Sequence, residues 1–217
     1  MRFLLLIPAR KGSSFHGKNR YPLKNIPLID YTIRAAIDSE CGMKHVVVST
    51  NDHYIAAEAG RFQNIEIHNR GENLSAWDTT LDELMYQVSF LYKDFDYYVC
   101  LQPTSPLRKS DHITEACKVI LREGADSLIS VRKEFKSIWK KGETFGDPII
   151  ERLKNRQEEV PAYVSNGAIF ISKADGLRQF KKRLFGRVSL YIMSDDVSLE
   201  IHDKSDIDLA GYYLSKS

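Results

Sequence analysis

Short, wholly apolar runs alternate with amphipathic stretches along this chain, and their spacing predicts an alternation of strands and helices. Leu4-Leu5-Leu6-Ile7 is apolar at every position, as in a parallel-sheet strand buried on both faces, and Pro8 ends it. Over 29–39, Ile29, Ile33, Ala36 and Ile37 fall at helical intervals, and Val46-Val47-Val48 within 44–50 gives a second buried strand. Asp52 stands where it can cap a short helix running from His53 to about Arg61, and Ile65 and Ile67 offer a weaker third strand. Leu81, Leu84, Met85, Val88 and Leu91 form a helical core stripe, and 97–101 reads as a strand. Ser110 is placed to cap a helix whose Ile113, Ala116, Cys117, Ile120 and Leu121 share one face. Residues 126–131 and 166–171 read as further strands, the second with a glycine kink at Gly167, and Asp203 and Asp206 read as first-turn residues of a last helix. This order predicts an α/β fold with a mostly parallel sheet. A chain of 217 residues is enough for one domain with a substantial core, and the polar region at about 132–162, with Trp139, Gly142, Gly146 and Pro148, is the candidate arm.

Charge changes the picture at one place. The net charge of +2 gives no support for a nucleic acid or a membrane as principal partner. Yet Arg2, Arg10, Lys11, Lys18, Arg20 and Lys24 all precede the first acidic residue, Asp30. Gly12 and Gly17 in this stretch let the backbone approach a ligand, and successive N–H groups in such a loop form an anion nest. A strand that empties into such a loop is a candidate phosphate site. It comes close to the P-loop pattern, but Asn19 stands where a hydroxyl holds the metal, and Pro22 and Pro27 interrupt the helix that pattern requires. Three scattered cysteines, Cys41, Cys100 and Cys117, without Cys-x-x-Cys spacing, suit packing thiols in a reducing cytoplasm rather than zinc ligands. Residues 1–7 are too short for a signal peptide or a membrane span.

Ile7-Pro8-Ala9-Arg10, followed by Gly12-Ser13 and Lys18-Asn19, resembles the opening motif of the acylneuraminate cytidylyltransferases, the CMP-sialic acid synthetases. The resemblance extends along nearly the whole chain. Arg70-Gly71-Glu72-Asn73-Leu74 through Asp78-Thr79-Thr80 resembles that family's cytosine-nucleotide motif, with Trp77 as an extra residue. Leu101-Gln102-Pro103-Thr104-Ser105-Pro106-Leu107-Arg108 matches a family motif residue for residue, and Asn166-Gly167-Ala168-Ile169-Phe170-Ile171 matches another with Phe for Tyr.

The resemblance implies a three-layer fold like that of the nucleotide-diphospho-sugar transferases, with a dimerisation arm, a homodimer, and activation of an acidic nonulosonic sugar by CTP to give CMP-sugar and pyrophosphate. It implies nucleotide binding by Ala9, Arg10, Gly12, Ser13, Lys18, Asn19, Arg70 and Thr80, and sugar binding by Gln102, Lys140, Arg156 and Asn166, with Arg10, Lys18 and Gln102 closest to catalysis. Where the family carries an Asp pair for Mg²⁺, this chain has Glu200 and His202. Two residues apart in a stretch read as a strand, they would project to one side, and the imidazole would shift preference toward Mn²⁺. Ser14 and Val164 also stand where relatives carry cations, and the opening loop is one residue short. Two alternatives therefore accompany the main reading: a nucleotide-binding homologue with impaired catalysis, and a cytidylyltransferase for another sugar acid such as an octulosonate.

Overall fold

The computed structural model describes residues 1–12, 17–135 and 161–216, together with the backbone of 139–140 and 143–144. Strand β1 (Arg2–Pro8) lies near the middle of a seven-stranded sheet, flanked by β4 (Met43–Thr50) and β6 (Tyr97–Cys100). The order is β11-β7-β10-β6-β1-β4-β5, with β5 at Ile65–Asn69, β7 at Ser127–Glu134, β10 at Ala162–Lys173 and β11 at Val188–Ile192. Every neighbouring pair is parallel except the two that involve β10, which runs antiparallel to both β6 and β7.

The all-apolar runs are buried on both faces because helices cover both. Phe3, Leu5 and Ile7 pack with α1 (Leu28–Asp38), α2 (His53–Ala59) and α4 (Ser110–Glu123), whereas Leu4 and Leu6 pack with α3 (Leu81–Leu91) and α5 (Ala174–Phe180). This is the three-layer architecture expected. A third, small core forms where α6 (Lys204–Leu214) brings Ile207 and Ala210 against Leu23, Leu28 and Ile201.

Local expectations hold with small shifts. Asp52 caps α2 by accepting from the Tyr54 amide at 2.9 Å, and Asp203 caps α6, accepting from Ser205 and Asp206 amides. Ser110 is the first residue of α4 rather than its cap; Lys109 takes the cap position and donates its amide to His112 Nδ1 at 3.0 Å. Leu91 and Leu121 lie at the solvent edge of their stripes. After the basic loop no long helix follows: a 3-10 turn (Lys18–Arg20) leads into a small hairpin of β2 (Pro22–Leu23) and β3 (Ile26–Pro27), as the two prolines required. The three thiols are free and buried. Among the described residues no helix is long and apolar enough to cross a membrane.

Between β7 and β10 lies the stretch read as an arm. Its described backbone forms a short antiparallel ladder of β8 (Trp139–Lys140) with β9 (Glu143–Thr144).

Candidate active site

Of the described predicted residues, Ala9, Arg10 and Gly12 follow β1, Arg70 follows β5 and Gln102 follows β6, at the edge where parallel sheets place ligands. The amino-terminal end of β10 meets the same edge because that strand runs the other way.

The loop after β1 is pinned to its neighbours. The Ala9 amide donates to Ser49 O at 2.9 Å, and the Lys11 amide donates to Asn51 Oδ1 at 2.7 Å. Asn51, at the end of β4 beside the cap Asp52, thus braces this loop. Gly12 has φ +82°, with open space where a Cβ would project. Arg10 donates to Ala76 O at 2.6 Å, and Arg70 Nε donates to Leu74 O, so the two guanidiniums hold one segment. Arg70 is 4% exposed; its pKa is pushed down to about 10, first by burial and then by the positive charge of Arg10. The two like charges are thus close enough to repel.

Lys18 and Asn19 are both buried, in the 3-10 turn entered through Gly17 at φ +73°. Lys18 Nζ donates to Ile201 O at 3.0 Å, and Asn19 Nδ2 approaches Arg10 O at 3.4 Å. Burial pushes the Lys18 pKa down, opposed by the nearby carboxylates of Glu200 and Asp206. Lys18 therefore joins the basic loop to the segment carrying Glu200. Thr80 occupies an exposed position and caps α3 in a box with Glu83: its hydroxyl accepts from the Glu83 amide, and its own amide donates to Glu83 Oε2 at 2.7 Å.

Across the edge, Gln102 follows β6, and its carbonyl accepts from Arg108 Nη1 at 3.1 Å. The Asn166 side chain, expected on the sugar, is engaged within the protein. It is 3% exposed; its Oδ1 accepts from Ser130 Oγ at 2.6 Å and from the Ala168 amide, while its Nδ2 donates to Ser198 Oγ at 2.9 Å and approaches Met193 Sδ. Both donors and both acceptor positions of the amide are engaged inside the protein. Asn166 is a strut joining β7, β10 and the chain before Glu200.

Residues 198–202 do not form the expected strand, a correction. Their backbone turns to the Gln102 loop instead, the Ile201 amide donating to Thr104 O at 2.7 Å. Glu200 and His202 nevertheless face each other, with Oε2 and Nε2 3.6 Å apart, and Thr104 Oγ1 donates to Glu200 Oε1 at 3.3 Å. The Glu200 carboxylate rests on Gly167, which has φ +67°; a Cβ there would lie 2.8 Å from Oε2. No group of three or more His, Cys, Asp or Glu side chains stands within reach of one ion among the described residues. Asp206 Oδ2 accepts from the His202 and Asp203 amides, so that carboxylate caps α6. One carboxylate and one imidazole fit a divalent ion that takes its remaining ligands from phosphate and water. Ser13, Arg156 and the Lys140 side chain lie outside the described residues.

Thr104, Arg108 and Gly167 were visible in the sequence as motif positions, yet their roles depend on contacts between distant segments that no local spacing signals.

Comparison with known proteins agrees with this architecture. The cytidylyltransferase family profile matches residues 4–201. The N-acylneuraminate cytidylyltransferase of Escherichia coli is 32% identical over 217 residues, covering 96% of this chain and 51% of that protein. The same enzyme of Streptococcus agalactiae is 32% identical over 213 residues, covering 95% and 52%. The chain thus spans about half the length of these curated relatives. The CMP-N,N'-diacetyllegionaminic acid synthase of Legionella pneumophila is 32% identical over 221 residues, covering 97% of this chain and 94% of that one. Among solved structures, a CMP-2-keto-3-deoxy-manno-octonic acid synthetase complexed with CTP superimposes with a TM-score of 0.75 at 14% identity, covering 100% and 99% of the two chains. The 4-diphosphocytidyl-2C-methyl-D-erythritol synthase of Anaerococcus prevotii gives 0.71 at 11% identity, covering 99% and 96%. At such identities the structures speak for the fold, and the sequence relatives speak for the lineage: this chain belongs to the cytidylyltransferase family.

Proposed function

We propose that the chain is a CTP-dependent synthetase of a CMP-activated acidic nonulosonic sugar. The observation that supports the reading is the electrostatic coupling of Arg10 and Arg70 at one sheet edge, with the Gln102 loop tied to the segment that carries Glu200. Clustered cations at the ends of parallel strands suit a triphosphate. The curated relatives that supply the substrate class are N-acylneuraminate and diacetyllegionaminate enzymes.

In this reading the anomeric hydroxyl of the sugar forms a bond to the α-phosphorus of CTP as the bond to the β-phosphate oxygen breaks, and pyrophosphate and the hydroxyl proton leave. Arg10, Lys18 and the loop N–H groups neutralise the phosphates; Arg70 and Asn19 hold the nucleotide, and the amino-terminal end of α3 behind Thr80 closes its pocket. Gln102 orients the sugar, and Asn166 supports that side from behind. A divalent ion held by Glu200 and His202 would add charge neutralisation on the triphosphate, and the imidazole favours Mn²⁺ over what a carboxylate pair would prefer. Lys140 and Arg156 on the arm would take the sugar carboxylate.

Homodimer formation belongs to the same proposal. Val188, Leu190 and Ile192 are exposed at alternate positions of the edge strand β11, and Tyr163 is exposed at the start of β10 where the arm rejoins the sheet. An apolar edge beside the arm suits a second copy. The buried, reduced thiols fit a cytoplasmic enzyme.

The decisive experiment is pyrophosphate release from CTP with a panel of nonulosonic and octulosonic acids, in Mg²⁺ and separately in Mn²⁺, with mass detection of the CMP-sugar. Release that depends on one nonulosonic acid is the expected outcome. Release only with an octulosonic acid would move the substrate class, and CTP binding without release for any acid would make the chain a non-catalytic nucleotide binder.

A further inference from the structure

We propose that Arg108 is the positioning residue of this site: its buried guanidinium locks the Gln102 loop to the Gly167 bulge, and the bulge in turn fixes where the Glu200 carboxylate sits.

Arg108 is 2% exposed, the largest side chain in the buried interior, and no acidic side chain pairs with it among the described residues. Its Nε has no partner. Burial without a counter-charge opposes the cation and pushes its pKa down to about 9. A leucine or methionine would fill such a space at lower cost, so the guanidinium is retained for what its fork reaches. Nη1 donates to Ala168 O at 2.7 Å and to Gln102 O at 3.1 Å, and Nη2 donates to Thr32 Oγ1 on α1 at 2.7 Å.

The place of these bonds gives them their effect. The ladder between β6 and β10 runs from Tyr97↔Lys173 to Cys100↔Phe170 and ends there. Just past that pair, β10 shifts register against β7 between Ser165 and Phe170, with Gly167 in the left-handed region. Arg108 Nη1 thus replaces the missing rung at the point where the two chains diverge. The rest of the circuit closes on Glu200: its carboxylate lies against Gly167, Thr104 Oγ1 donates to it, and the Ile201 amide donates to Thr104 O. Gln102 and Glu200, assigned to the sugar and to the cation in the reading above, are therefore held in register by one side chain that touches neither substrate. A lysine carries the charge but not the fork, and it cannot span the same three acceptors.

The proposal rests on that reading only for its activity arm, so the test has two arms. Arg108→Lys, Arg108→Met and Thr32→Val are compared with wild type by amide hydrogen exchange, by CTP binding calorimetry, and by pyrophosphate release with CTP and N-acetylneuraminate. For Arg108→Lys we expect residues 102–106 and 199–202 to lose exchange protection together while β1 and β4 keep theirs. CTP affinity should change by less than about 3-fold, and kcat should fall about 100-fold, the scale of a displacement near 1 Å. Thr32→Val should move the same two segments by a smaller amount, and it carries the exchange test should both Arg108 variants fail to fold. Protection that falls evenly over the whole sheet, or a kcat in Arg108→Lys equal to wild type, would overturn the assignment. Wild type that releases no pyrophosphate would instead count against the proposed activity, with the exchange arm still deciding the role of Arg108.

Discussion

The two sides of the candidate site are stabilised in opposite ways. On the side built from β1, β4 and β5, cations crowd together: burial and then Arg10 lower the pKa of Arg70, and burial lowers that of Lys18. On the side built from β6, β10 and residues 198–202, long-range hydrogen bonds tie the segments together, through Asn166 with its four contacts and through Thr104 and Arg108. In the proposed reading the first side is an electrostatic well whose partner comes from outside, and the second is a fixed wall whose geometry is its function. Changes on the first side should therefore cost activity and little stability, whereas changes on the second should cost both.

Arg10→Ala is the sharpest way to break the comparison. It removes a cation that repels Arg70 and donates one hydrogen bond, to Ala76 O. Folding stability should stay within about 1 kcal/mol, since the lost bond and the relieved repulsion oppose each other. Turnover should fall by about 100- to 1,000-fold, the scale for removing one donor to developing charge. Thermal melts and initial rates measured on the same preparation check the split; a rate equal to wild type would remove the loop from the catalytic site.

Gly167→Ala tests the wall. The new methyl would sit 2.8 Å from Glu200 Oε2 at a residue with φ +67°, so both the backbone and the carboxylate must give way. We expect a loss of about 1–3 kcal/mol together with a turnover drop of roughly 10- to 100-fold. Urea unfolding and steady-state kinetics would measure the two losses. Loss of activity at full stability would mean that Glu200 moves freely and that the wall is less rigid than its hydrogen bonds imply.

The same contrast explains what the sequence made legible. The electrostatic side announces itself locally: an apolar run, glycines, and six cations before any acid are all visible in about thirty residues. The helices α1 and α4 and the cap Asp52 are equally local, since periodicity and capping act within a turn or two. The wall is built from contacts over long separations. Arg108 meets Ala168 and Thr32, and Ile201 meets Thr104, pairings that no local pattern contains. Asn166 was recognised as important from its motif, but its direction was not legible: an asparagine beside a glycine kink serves equally well facing substrate or facing Ser130 and Ser198. The stretch 198–202 was read as a strand, yet alternating polar and apolar residues also occur in a segment laid on a neighbouring loop, as here. The short α5 passed unread because Ala174 and Leu177 alone mark its buried face, too few for a helical period.

Asp30 gives the smallest and most selective effect. It lies in the first turn of α1, behind the electrostatic side, 3% exposed and with Oδ1 unpartnered. Burial, and then the neighbouring Glu58, push its pKa up to about 6, against the pull of Arg34 and Arg61. The folded pKa lies above the unfolded value near 3.8, so the native state holds this proton more tightly than the unfolded chain does. The resulting stability is fully present below about pH 4, and it is lost as pH rises through about 6. Asp30→Asn keeps the shape and removes the titration. The variant should match wild type near pH 4 and exceed it by roughly 2 kcal/mol at pH 7.5, with CTP turnover unchanged. Denaturant midpoints of both proteins at these two pH values measure the difference. A constant gap across the range would mean that Asp30 stays ionised in the fold, and that the electrostatic side tolerates a buried carboxylate beneath its cations better than its geometry implies.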